Sequence, residues 1–203
     1  MKHGTRADVL LNTMMVIDIY SLGPALNGLT QEEMDWVPHP GAWGVCRRDE
    51  CTTPDPLGAP HGEWVCDNDW AIVEAANDGS GGREPMATIG WLLNHFGDAP
   101  GRYAQLTIVG GPVEPTPEEY EATWSTTIIP TVDDAVARVR DGWSALDAAL
   151  RRAATDEQLE ARYEGHPWHQ GDLAITAMLN EVAHHATQVC MLRDLYHHRS
   201  QGG

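Results

Sequence analysis

Most apolar positions in this chain fall at helical spacing. Over residues 6–27, Leu10, Met14, Ile17 and Ser21 form one row and Leu11, Met15, Asp18 and Leu22 the next, predicting a helix that Gly23-Pro24 ends or kinks. Thr30 and Glu33 have the spacing of a capping box for a short helix, which Pro38 stops. A second long helix is expected from about Pro85 or Met86 to about Leu106. Thr88, Trp91, Leu92, His95 and Ala99 share its face, and Pro100-Gly101 interrupts it. Thr116-Pro117-Glu118-Glu119 reads as the start of a short helix that ends before Pro130. Thr131 with Asp134 caps a third long helix. Its stripe is Val132, Ala135, Val136, Val139, Trp143, Leu146 and Leu150, and Arg151 and Arg152 suit its C-terminus. Thr155 with Gln158 caps a short turn, and a last helix spans about Asp172 to Tyr196.

Between the first and second long helices, about residues 38–85, the period disappears. This stretch holds Pro38, Pro40, Pro54, Pro56, Pro60 and Pro85 and many glycines. Short strand-like pieces fit around Trp43-Gly44-Val45 and Glu63-Trp64-Val65-Cys66, and Asn77 to Gly82 reads as a mobile turn-forming tip. Four long helices with one long irregular insertion predict an all-α four-helix bundle, a single domain over residues 1–203.

Composition narrows the function classes. Thirteen Lys and Arg against thirty Asp and Glu give a formal charge of -17. That surface repels phosphate backbones and anionic lipids, so neither nucleic acid nor a membrane is an expected partner. No run of eighteen apolar residues predicts a transmembrane helix, and the start MKHGTRADVLLNTMM lacks a signal-peptide core. A reducing cytoplasm is the expected compartment. Four cysteines are few for a disulfide scaffold, and the uneven spacing of Cys46, Cys51 and Cys66 fits a zinc knot poorly. A disulfide among those three is the better expectation.

The chemistry gathers on the last helix. On a wheel of 100° per residue, Ala174, Ala177, Met178, Glu181, His185, Gln188, Leu192 and Leu195 form one stripe. Glu181 and His185 then sit near its middle, four residues apart and able to meet. A carboxylate buried there needs a partner. His95, on the inward face of the second helix, brings a third metal-capable side chain. A Glu and two His hold a divalent ion with water completing the shell, and bundle interiors host such sites. A buried ion pair accounts for Glu181 and His185 equally well, and a core histidine bonded to a carbonyl accounts for His95. His184 lies at the stripe's edge as a supporting group; His197 and His198 follow the helix and face solvent. His166, His169, His39 and His61 belong to loops.

The run Asn180-Glu181-Val182-Ala183-His184-His185, continued by MLRDLY, resembles the final helix of the DinB-like superfamily. Three further pieces match in order: Leu29-Thr30-Gln31-Glu32-Glu33 leading to Trp36 and Pro40-Gly41-Ala42-Trp43-Gly44-Val45; Gly62-Glu63-Trp64-Val65; and Thr88-Ile89-Gly90-Trp91-Leu92-Leu93-Asn94-His95. The likeness is nearest to the actinobacterial branch with mycothiol-dependent maleylpyruvate isomerase-like proteins. It implies a four-helix bundle with one long crossover and a divalent metal held by His95, Glu181 and His185. The more common family pattern has His where this chain has Glu181.

The resemblance implies a thiol-dependent transferase or isomerase in which the metal, zinc first and nickel, manganese or iron otherwise, ionises a low-molecular-weight thiol. Trp43, Trp91 and His61 would line the mouth and bind cofactor or substrate. Two other readings stay open: a metal-dependent hydrolase using bound hydroxide, and a non-catalytic scaffold bundle. A homodimer is also implied, with an exposed apolar stripe on the first or third helix as its cue.

Overall fold

The computed structural model describes residues 5–51, 53, 58, 61–67, 85–97, 99–104, 127–153, 159 and 171–199. The expected elements at Thr116–Glu119, Asn77–Gly82 and Thr155–Gln158, together with His166 and His169, lie outside these residues.

Helix α1 (Arg6–Ile17) begins at a capping box in which the Thr5 hydroxyl accepts from Asp8 N–H and the Asp8 carboxylate accepts from Thr5 N–H. It buries Leu10, Met14 and Ile17 of the first predicted row, with Ala7 a turn before them, while of the second row Met15 is exposed and Leu22 fully buried. Gly23-Pro24 neither ends nor breaks the chain's helical course. A π-helical turn over Asp18–Leu22 precedes α2 (Gly23–Leu26), and Gly23 N–H reaches back to the carbonyl of Asp18. The wider turn takes up a proline that cannot donate to the ladder. A Cβ on Gly23 would lie 2.6 Å from that carbonyl oxygen, so the turn requires glycine.

Arg6–Leu26 is long and apolar enough by length and composition to cross a membrane, which the expectation of no such helix overlooked. Its buried row faces the protein core, and α1 and the π turn pack on the last helix. The other face exposes Val9, Val16, Ile19 and Tyr20, an apolar stripe that the sequence did not make visible.

Helix α3 (Gln31–Met34) carries the predicted Thr30–Glu33 capping box. In the long insertion, β1 (Val45–Arg47) and β2 (Trp64–Cys66) pair antiparallel, Cys46 opposite Val65, close to where strand pieces were expected. Trp43 bridges to Ala87, which ties the insertion to the next helix.

Helix α4 (Ile89–Phe96) is capped by Thr88, and α5 (Ala99–Ala104) follows. The interruption falls at Gly97, not at Pro100-Gly101: Pro100 occupies the first turn of α5, where its missing N–H costs nothing. Helix α6 (Val132–Ala153) buries Ala135, Val139, Trp143, Leu146 and Leu150, with Val132 and Val136 partly buried, as its stripe predicted. Helix α7 (Gly171–His198) runs further than expected and includes His197 and His198.

The long helices pack together around one core, the helical bundle that the sequence predicted. Helices α5 and α6 pack tightly where Gly101 meets Gly142: a Cβ on Gly101 would lie 3.1 Å from Gly142 Cα and 3.0 Å from the Ala145 methyl. Backbone cannot move aside as a flexible side chain can. Gly101→Val is therefore expected to cost about 1–3 kcal/mol by overpacking, seen as a lowered urea midpoint at unchanged m-value. An unaltered midpoint would show that the helices separate freely.

Candidate metal centre

The buried face of α7 is Leu179, Val182, Ala186, Val189 and Leu192, rotated from the predicted stripe by about one residue. Leu195, placed on that stripe, is 45% exposed. Glu181 is correspondingly not in the middle of the core face: its side chain is 42% exposed and stands at the rim. Half-hydration removes most of the cost that full burial of the carboxylate would carry. His185 is nearly buried beside it, and His95 reaches over from α4 with its side chain 25% exposed.

The three predicted donors converge. Glu181 Oε1 lies 2.7 Å from His185 Nε2 and 3.4 Å from His95 Nε2. One ligand atom from each residue lies within 4.8 Å of the other two, a spacing that can hold a metal ion. Hydrogen bonds from His185 and then His95 hold the Glu181 carboxyl far below the usual carboxylate range, outweighing the opposing effect of burial. Its charge is therefore in place at neutral pH.

The surrounding side chains fix the imidazoles. His185 Nδ1 lies 2.7 Å from Gln188 Oε1, one turn along α7. That amide oxygen can accept an Nδ1 proton, and the contact holds the ring with Nε2 turned toward Glu181 and His95. This is how metal-binding histidines are commonly oriented. Gln188 was placed on the right helix by the sequence but given no role; its signal is the i+3 spacing from His185. Phe96 stacks on His185 with ring centroids 5.9 Å apart, and the exposed His184 ring stands edge-on to it at 5.0 Å. Trp91 stacks on His95 at 4.8 Å and 18°.

Of the three expected mouth residues, Trp91 touches the trio directly. Trp43 is 5% exposed and packs behind Trp91 at 5.6 Å, and His61 is exposed in the turn before β2. A surface cavity of about 500 Å³ between Ile128–Pro130 and α6 is lined by Asp134, Arg138 and Asp141, and by none of the three donors.

His197 does not simply face solvent: its Nε2 lies 3.1 Å from Glu33 Oε1. His39 turns its Nδ1 to the carbonyl of Pro40. All four cysteines are free thiols, so the disulfide expected among Cys46, Cys51 and Cys66 is not formed. Cys51 instead directs its sulfur at Asp67, 3.1 Å away.

The donor chemistry of two imidazoles and a carboxylate, with solvent on one side, suits a divalent ion with a free coordination position. No curated protein and no solved structure matches the chain. A family model described as the DinB superfamily matches residues 21–188, a span that holds all three donors and the chain from α2 through most of α7 but not α1, and the chain belongs to that superfamily.

Proposed function

We propose that the protein binds one divalent ion, zinc by preference, at His95, Glu181 and His185, and uses it in a thiol-dependent transferase or isomerase reaction of the mycothiol type. The observation that carries the reading is the convergence of three donors at a rim that stays open to solvent. A bound divalent ion supplies Lewis acidity that lowers the pKa of a coordinated thiol. The chain's own part is positional. Gln188 holds the His185 ring in place, Trp91 and Phe96 fix the two ring planes, and Glu181 offsets part of the ion's charge. The exposed edge of Glu181 keeps that side of the trio open to solvent, the side from which a small thiol would approach. The four free thiols fit a reducing cytoplasm.

Elemental analysis of tag-free protein tests the site. His95→Ala, Glu181→Ala and His185→Ala are each expected to lose about one divalent ion per chain relative to wild type. Gln188→Ala keeps the ligands but loses their orientation, and metal affinity is expected to fall about 10–100-fold. Retention of the full metal content in His95→Ala would sink the site. Turnover of electrophilic substrates with and without added low-molecular-weight thiols tests the reaction class. Strict thiol dependence supports the transferase or isomerase; equal amide or thioester cleavage without thiol would assign a hydrolase instead.

A further inference from the structure

The geometry points to a second divalent-metal site, thiolate-rich and separate from the histidine centre, formed by Cys46, Cys51 and Asp67 on the hairpin of the long insertion. The sequence spacing disguised it, because the third ligand is a carboxylate and not a thiol. Cys46 sits in β1, Cys51 on the turn beyond that strand, and Asp67 directly after β2. Strand pairing brings the end of β2 back beside the start of β1: Asp67 N–H donates to Gly44 O at 2.9 Å, and Gly44 N–H donates to Asp67 Oδ2 at 3.0 Å.

That pairing aims Asp67 Oδ1 at both sulfurs, 3.1 Å from Cys51 and 3.8 Å from Cys46. One donor atom from each residue lies within 4.8 Å of the other two. Zinc bonds of about 2.3 Å to sulfur and 2.0–2.2 Å to oxygen put neighbouring tetrahedral ligands about 3.5 Å apart, so the side chains are already near coordination distance. The Thr53 hydroxyl stands 3.3 Å from Asp67 Oδ1 and 3.2 Å from Cys51 Sγ, where a fourth ligand or its supporting hydrogen bond belongs.

Metal binding exchanges protons for a cation: two S–H bonds break, two protons leave to solvent, and two metal–sulfur bonds and one metal–oxygen bond form with no change of oxidation state. Soft thiolates select zinc or a similar borderline ion over magnesium or calcium. The site also bears on the histidine centre. Trp91 Nε1 donates to the Asp67 backbone carbonyl at 2.7 Å, and the Trp91 ring is the surface on which His95 stacks. An ion on the hairpin thus anchors the residue that orients Trp91.

Cobalt titration of reduced, metal-free, full-length protein tests this independently of the histidine centre. Intense near-ultraviolet thiolate-to-cobalt absorption is expected in wild type and in His95→Ala alike, and its loss in Cys46→Ser and in Cys51→Ser. Zinc is expected to slow alkylation of Cys46 and Cys51 by about tenfold or more, because the metal competes for the reactive thiolate. Wild-type protein that shows no thiolate-to-cobalt absorption overturns the site, as does absorption that survives in the Cys46→Ser, Cys51→Ser double variant. Unchanged alkylation rates with zinc overturn it without reliance on any variant.

Discussion

Arg193→Ala is expected to lower stability by about 3–5 kcal/mol, because it strips the cation from a carboxylate that has almost no access to water. Glu33 is 1% exposed, and Arg193 Nε meets its Oε1 at 2.9 Å. The same guanidinium donates through Nη1 to the carbonyls of Pro24, Ala25 and Asn27, where α2 runs out of partners of its own. One side chain on α7 therefore closes the end of the first helical segment and neutralises the capping residue of α3. His197 remains 3.1 Å from Glu33 Oε1 in the variant, but it is largely exposed and satisfies none of the three carbonyls. For a chain of this length the loss corresponds to roughly 6–20 °C in melting temperature. Glu33→Gln with Arg193→Met removes both charges and is expected to recover part of the loss. A melting temperature for Arg193→Ala within a degree of wild type would show that the pair is merely placed together.

The pair also sets a pH dependence. Burial pushes the Glu33 carboxyl up, but hydrogen bonds from Arg193 and from Thr30 N–H outweigh it and hold the group below its ordinary value. A carboxylate depressed in the folded state stabilises the fold above its unfolded pKa, about 4.3. That contribution disappears as pH falls through the folded value. Wild type should therefore lose stability below about pH 4 more steeply than Arg193→Ala.

Local chemistry is what the sequence exposed. The Thr30–Glu33 box, the α6 stripe, the strand pieces around Trp43 and Trp64 and the Glu181–His185 pair each rest on residues a few positions apart, and each is present; His95 joined that pair because its own helix stripe marked it as inward-facing. What escaped depends on partners far along the chain. The role of Glu33 beyond its cap comes from Arg193 and His197, more than 150 residues later. The Cys46, Cys51 and Asp67 cluster comes from strand register. On α7 the Glu181–His185 pair and the true core face, Leu179, Val182, Ala186 and Val189, are neighbouring stripes. Centring the wheel on Glu181 and His185 buried the carboxylate, because periodicity alone does not say which of two adjacent stripes meets the bundle. In α4 and α5, Pro100 looked like the breaker, yet proline in a first turn starts a helix, and the break moved to Gly97.

Phe96 is where the core meets the candidate metal centre, and Phe96→Ala is expected to damage both. It is the chain's single phenylalanine, 1% exposed at the end of α4. Truncation removes a buried ring and leaves a cavity, costing about 3–5 kcal/mol. The cavity opens against His185, whose ring lies 9° from parallel with that of Phe96. Gln188 and Glu181 then hold the imidazole at its two nitrogens, which leaves the tilt of the ring plane without its packing face. Metal affinity should fall about tenfold, the low end of what loss of a supporting contact costs. Phe96→Leu refills most of the volume without the flat face, so it should recover most of the stability and less of the affinity. Calorimetric zinc titration at low temperature, where each variant stays folded, separates the two effects. If Phe96→Ala loses stability yet binds zinc as tightly as wild type, the ring serves packing alone, and the orientation of His185 rests on Gln188 and Glu181.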